Sequence, residues 1–299
     1  MSAEHRWSPS IRECVRLFID EQITRSRAVA SVKNYRQKLA IVETWLTGQG
    51  ITTIDELTPD SLKRYFQIRR ESGLKPHTVA TDARYIRCWL NYLIEIEVID
   101  SSPMSKVRLP RLPKLQKPAY SVDEIKQFLA VATDREELVI MFLVDTGVRS
   151  TEFCKVTVGD IDLSAGTVRV RKGKGDKART TFIGNATKKC LMRYWRKHGK
   201  PANNAPLIRS SQSTDGHLTR SGMLTLIKEL GKRAGVDNCS VHRFRRTFAQ
   251  WSLANDMDVR SLQLILGHSD IQTTVEYLGD NVVELKRKHE RFGPIDHNL

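Results

Sequence analysis

A short proline-rich basic segment does more than any other feature to limit how this chain can fold. Residues 106–117 read KVRLPRLPKLQK: five basic residues, no acidic one and two prolines, with Pro103 and Pro118 just outside. Proline disfavours helix at and before its own position. The spacing therefore predicts an extended strap over 103–118, with one folded block on each side. A length of 299 residues fits two domains of ordinary size. Lys106, Arg108, Arg111, Lys114 and Lys117 carry the strap's charge. It suits contact with a polyanion backbone, or it is a solvated linker.

Charge supports the first of these. The chain holds 49 Lys and Arg against 34 Asp and Glu, a formal net charge of +15. A basic excess of this size points to a polyanionic partner, and nucleic acid is the leading candidate because neutralised phosphates release their counterions. No apolar run approaches the about 20 residues needed to cross a bilayer, so no membrane role is expected. The opening residues lack the apolar core of a signal peptide. Cys14, Cys88, Cys154, Cys190 and Cys239 are far apart and form no C-x-x-C pair. Neither a zinc site nor a disulfide framework is expected, and a reducing cytoplasm fits.

The first block reads as four amphipathic helices. Ile11, Val15, Phe18 and Ile19 form one stripe. Val32, Tyr35, Leu39, Val42 and Leu46 form another after Ser31 as its cap. Thr58-Pro59 opens a third with Leu62, Tyr65 and Phe66, and Val79, Ala83, Ile86, Leu90 and Leu93 make the fourth. This block is expected to hold no polar constellation of its own that suggests chemistry. The second block opens on the capping box of Ser121 and Glu124. Helices are expected over 135–144, 187–198, 221–234, 241–255, 259–266, 269–278 and 281–291. A β-hairpin is expected from strands 167–170 and 180–183 around a basic, glycine-rich tip. The fold class is thus mostly α with one small sheet in the second block.

Four segments of the second block could carry chemistry. Arg149 opens a helix, with Glu152 one turn on to hold its guanidinium. The hairpin tip carries Lys172, Lys174, Lys177 and Arg179, either solvated or set against phosphate. His242 and Arg245 share a helical face at three-residue spacing. His268 follows a glycine turn, and Tyr277 lies two turns into the next helix. Singly, each has a structural reading. Together, two arginines, a lysine, two histidines and a tyrosine can attack a phosphodiester without metal. Arginines stabilise the charge of a pentacovalent transition state, and a lysine can protonate the leaving oxygen. A tyrosine of reference pKa near 10 can attack within a cationic pocket, and covalent attachment then conserves the bond energy, so rejoining needs no ATP. No P-loop or magnesium-type carboxylate cluster is present, so no cofactor is expected.

In these segments the chain resembles the tyrosine recombinases, the phage-integrase family that includes the Xer recombinases. TGVRSTE at 146–152 resembles the family's first arginine box, GKGDKAR at 173–179 its lysine hairpin, HRFRRTFA at 242–249 its H-x-x-R box, and LGHSDIQTTVEYLG at 266–279 its last histidine and tyrosine box. The resemblance implies a helical, SAM-like core-binding domain over 8–102, the basic linker over 103–118 and a catalytic domain over 119–299, together a C-shaped clamp on DNA. It implies Arg149 and Arg245 as phosphate clamp and Lys174 as general acid. His242 and His268 would assist at the phosphate, with Tyr277 as the nucleophile of a 3′-phosphotyrosyl link. Lys106, Arg108, Arg111, Lys114, Lys117, Lys172, Lys177 and Arg179 are the expected DNA contacts.

Strand exchange through a Holliday junction would then need a homotetramer on two double-stranded sites. The free protein would be a monomer or weak dimer, with room for an accessory DNA-bending protein and a cytoplasmic, nucleoid-associated location. Residues 281–299 would dock on a neighbouring protomer or pack on their own domain. One extra residue before Gly173 makes Lys172 a rival to Lys174, and Phe244 and Arg246 stand where relatives more often carry leucine and histidine. The absence of a further N-terminal module suits simple Xer-like or transposon-borne enzymes. Three rivals are a recombinase-fold protein that binds without cutting, a type IB topoisomerase-like enzyme and a basic scaffold.

Overall fold

The computed structural model describes residues 8–109, 118–171, 178–210 and 216–267. The chain divides into two compact units, Met1–Leu115 and Gln116–Leu299. Arg111, Lys114, Lys117, Lys172, Lys174, Lys177, His268, Tyr277 and the tail from 281 lie outside the described residues, as do the helices expected over 269–278 and 281–291.

The first unit holds α1 (Ile11–Thr24), α2 (Val29–Gly48), α3 (Pro59–Glu71) and α4 (Pro76–Glu95). Local chemistry sets their starts. Ser10 caps α1 by accepting from the Glu13 amide at 3.2 Å, and Thr58 caps α3 ahead of Pro59. The four stripes close on one core, with Leu39, Leu46, Leu62, Ile86, Leu90 and Leu93 fully buried. Tyr35 bridges α1 and α4, its ring edge-on to Phe18 at 5.0 Å and to Tyr85 at 4.8 Å.

Buried Asp82 on α4 ties three helices together, accepting from Lys38 at 2.7 Å and from Arg69 at 2.9 Å. Such a pair is retained when both charges are hydrogen-bonded, since an unpaired buried carboxylate is costly. Two expectations for this unit are corrected. Helix α2 starts at Val29 rather than after Ser31, with Ala28 in the cap position and no side-chain cap bond. Nor does the strap begin extended at 103. Ser102 caps a 3₁₀ turn over Pro103–Lys106, which buries Met104 and then Val107 in this core. Lys106 and Arg108 stay exposed on either side of Val107.

The second unit runs α5 (Val122–Val131), α6 (Asp134–Thr146), α7 (Ser150–Phe153), β1 (Ile161–Asp162), β2 (Thr167–Val170), β3 (Arg179–Phe182), α8 (Asn185–His198), α9 (Arg220–Ala234), α10 (Val241–Ala254) and α11 (Val259–Leu266). Helix α6 is the hub, burying Leu138, Val139, Ile140, Phe142 and Leu143, and it packs on α8 and α10. The sheet is antiparallel in the order β1-β2-β3, with Val168 opposite Thr181 and Val170 opposite Arg179. The expected hairpin is present, extended by β1, too short to show a pattern in the sequence. A smaller core of Phe248, Ala249, Leu253, Leu262 and Leu266 joins α10 to α11.

Cys14, Cys88, Cys154, Cys190 and Cys239 are free thiols. Burial pushes Cys14 up to about 12, and Cys154 and Cys190 up to about 11. Among the described residues no helix is long and apolar enough to cross a membrane.

Candidate active site

Helix α6 ends at Thr146, and Gly147 takes the left-handed conformation with φ 59°. A side chain there would run into Phe248 and Leu266, so glycine is required both for the turn and for the close packing. The turn delivers Arg149 to the start of α7. Its backbone amide donates to Glu152 Oε2 at 2.7 Å and its Nη1 to Glu152 Oε1 at 2.8 Å. The one-turn spacing in the sequence anticipated this pair. Arg149 remains a quarter exposed, whereas the Glu152 carboxylate is 2% exposed.

Arg245 approaches from α10. It is 1% exposed. Its Nη1 donates to the Gly147 carbonyl at 2.7 Å and its Nη2 to the Leu266 carbonyl at 2.8 Å. Arg149 Nη2 reaches the Gly267 carbonyl at 3.4 Å. The two guanidinium groups therefore hold the turn after α6 and the turn after α11 side by side. Gly267 closes α11 with φ 64°, and a Cβ there would lie 2.7 Å from Arg179 Cδ. The next residue along the chain is His268.

His242 sits exposed in the first turn of α10, one turn before Arg245. The residues between them do structural work. Arg243 is buried, donates to Glu124 at 2.8 Å and lies 3.9 Å over the Tyr120 ring. Phe244 is fully buried, 4.5 Å from the ring of Tyr120. This core packing accounts for a phenylalanine at that position.

Arg179 departs from its expected place among the DNA contacts. It turns inward from the start of β3, and its side chain is 10% exposed. Nη1 and Nη2 each donate to one oxygen of Glu152 at 2.8 Å, and Nε donates to the Ile265 carbonyl at 2.8 Å. Glu152 thus holds two arginines, not one. Sequence reasoning missed the second because it lies 27 residues away, where no helical period applies. Thr181 adds a further tie, donating from its hydroxyl to the Thr146 carbonyl at 2.9 Å.

One carboxylate against the guanidinium groups of Arg149, Arg179 and Arg245 leaves the cluster net cationic, suited to a phosphate. Burial by itself pushes the Glu152 carboxyl up. The hydrogen bonds from Arg179 and from the Arg149 backbone outweigh it and lower the group from 4.5 to about 2. A depressed carboxylate stabilises the fold fully above the ordinary value and loses that effect as pH falls through the folded one. Stability is therefore expected to drop between about pH 4.5 and 2. Glu152→Gln is expected to cost about 3–5 kcal/mol at pH 7, because it strands buried charge. The variant should also lose part of that acid-dependent drop, as read by urea unfolding at pH 7 and pH 3. Parallel losses in wild type and variant would remove Glu152 from this account.

Residues 120–283 match the model of the phage integrase family, and residues 16–95 match that of the phage integrase N-terminal SAM-like domain. The tyrosine recombinase XerD of Listeria innocua is 26% identical over 284 residues, 91% of this chain and 95% of the relative. The tyrosine recombinase XerC of Bacillus subtilis is 28% identical over 284 residues, 90% of this chain and 92% of the relative. Among solved structures, a XerA recombinase aligns with a TM-score of 0.53 and 25% identity, covering 95% of this chain and 99% of that one. The Tn1549 transposon integrase in complex with transposon right end DNA aligns with a TM-score of 0.75 and 18% identity, covering 93% of this chain and 98% of that one; this likeness concerns the fold.

Proposed function

The chain belongs to the phage integrase family, and from that membership we infer that it is a tyrosine-type, site-specific DNA recombinase, an enzyme that breaks and rejoins DNA strands. The observation that carries the assignment of its active site is the tethering of Arg149 and Arg245 to the carbonyls of Gly147, Leu266 and Gly267. Segments far apart in the chain thereby share one net cationic cluster.

The chemistry follows from those groups. Tyr277 attacks the scissile phosphorus through its phenolic oxygen, and the P–O bond to the 5′-oxygen breaks. The phenolic proton passes to His242, and Lys174, or its rival Lys172, supplies a proton to the departing 5′-oxygen. Arg149 and Arg245 stabilise the extra negative charge of the pentacovalent transition state, with His268 assisting at the phosphate. The 3′-phosphotyrosyl link conserves the energy of the broken bond, and a second 5′-hydroxyl attacks it to rejoin the strand. Neither ATP nor a metal ion enters this sequence of steps.

The partner is double-stranded DNA. Residues 8–102 act as the core-binding domain, 103–118 as a basic linker with Lys106 and Arg108 toward the backbone, and 119–299 as the catalytic domain. Four protomers act on two sites through a Holliday junction, with an accessory DNA-bending protein where the site requires it. Two copies of the target site on one plasmid are expected to recombine in EDTA without ATP. Relaxation without recombinants would instead favour the topoisomerase-like reading, and binding without either would favour an inactive relative. Affinity for the site should fall by about 10³-fold or more between roughly 50 and 200 mM salt, since many phosphate contacts release counterions. A flat salt response would contradict the backbone-binding role.

A further inference from the structure

The reaction as described uses Arg149 and Arg245 but leaves Arg179 without a part, although it is among the most tightly held side chains of the second unit. Its three donors engage both oxygens of Glu152 and the Ile265 carbonyl, each at 2.8 Å. A bidentate guanidinium–carboxylate fork fixes distance and plane together. The chain around Arg179 is equally constrained. It pairs in the sheet opposite Val170, and the stem of its side chain lies where any Cβ at Gly267 would have to go.

These contacts join three segments. Arg179 begins β3, so it forms the C-terminal foot of the lysine hairpin. Glu152, 27 residues back from Arg179, also holds Arg149, and Ile265 lies 86 residues ahead, at the end of α11. Among the described residues, the ties of the other foot are closer in sequence. Arg171 reaches Asp160 at 2.5 Å, 11 residues back, with the Arg171 side chain 59% exposed and the Asp160 side chain 1% exposed. Arg179 thus ties the foot of β3 to Glu152 and to the end of α11, with the Thr181–Thr146 bond beside it holding β3 to the end of α6.

We infer that Arg179 is a positioning residue that fastens the C-terminal foot of the lysine hairpin to Glu152, the partner of Arg149, and to the end of α11, and that it serves the proton-delivery step through that foot. The inference rests on the hairpin lysine being the general acid. It assigns Arg179 an inward role in place of a DNA contact. Lysine at 179 would supply the charge as a point but not the fork, and methionine would retain much of the apolar stem without charge.

The test compares strand cleavage on a nicked duplex carrying the target site, made once with the ordinary 5′-oxygen and once with a 5′-bridging sulfur. A sulfur leaving group needs little protonation, so it reports on proton delivery alone. Arg179→Met is expected to cleave the oxygen substrate about 10²-fold more slowly than wild type and the sulfur substrate within about threefold, the size of effect expected for a misplaced reacting group. Arg179→Lys should fall between the two and provides a second, more conservative variant if the methionine protein melts early. Affinity for the duplex should stay near wild type in both.

Equal losses on both substrates, no loss on either, or weakened binding as the main effect would each overturn the inference. Lys172→Ala and Lys174→Ala measured alongside separate the two levels. If sulfur rescues neither, the general-acid reading fails and this inference fails with it. If it rescues one of them but not the Arg179 variants, this inference alone fails.

Discussion

Replacing Arg245 by alanine is expected to slow strand cleavage by about 10²–10³-fold, the usual worth of one donor aimed at transition-state charge. Duplex affinity should change far less, because a buried guanidinium supplies little of the long-range attraction spread over a chain of net charge +15. The same substitution removes the link between the Gly147 and Leu266 carbonyls, both in buried residues. Stability should therefore fall by about 2 kcal/mol or more, since each buried acceptor left unpaired costs about 1–3 kcal/mol. Arg245→Lys separates the two effects: it keeps the charge but not the planar fork that spans both carbonyls. Single-turnover cleavage and duplex binding, measured on variants shown to be folded, check the prediction. Cleavage at the wild-type rate in Arg245→Ala would refute its place in the phosphate clamp.

Tyr277→Phe is expected to abolish cleavage outright. It deletes one oxygen and little else, so DNA affinity should remain. A tyrosine of reference pKa near 10 is a poor nucleophile at neutral pH unless cationic groups favour the phenolate. The guanidinium groups of Arg149 and Arg245 supply that bias. Residual covalent attachment in Tyr277→Phe would place the nucleophile elsewhere in the chain.

What the sequence disclosed and what it hid follow one physical division. Features set by neighbours in sequence were legible: the cap at Thr58, the capping box at Ser121, the apolar stripes, the hairpin and the Arg149–Glu152 pair. Where a helix starts without a side-chain cap, as α2 does at Ala28, the start was misplaced. Charge and proline dominate the strap's pattern and predict an extended chain from Pro103. Ser102, Met104 and Val107 instead draw its first turn into the core. Distant pairings left no trace in local spacing. Asp82 with Lys38 and Arg69, and Arg179 with Glu152 and Ile265, join residues on separate elements. An arginine that seeks phosphate and one that seeks a buried carboxylate are the same letter, and only the tertiary structure tells Arg179 from Arg149. Within the four boxes, the sequence did bring forward the segments on which the site is built, including the turn glycines Gly147 and Gly267.

The most direct test of the central claim is denaturing capture of the tagged protein from its own host, with sequencing of any attached DNA and mass spectrometry of the nuclease-trimmed adduct. The account predicts DNA on the wild type and none on Tyr277→Phe, reads that converge on a specific site, and a 3′-linked nucleotide on Tyr277. An adduct on another residue, or equal DNA retention by the phenylalanine variant, would contradict it.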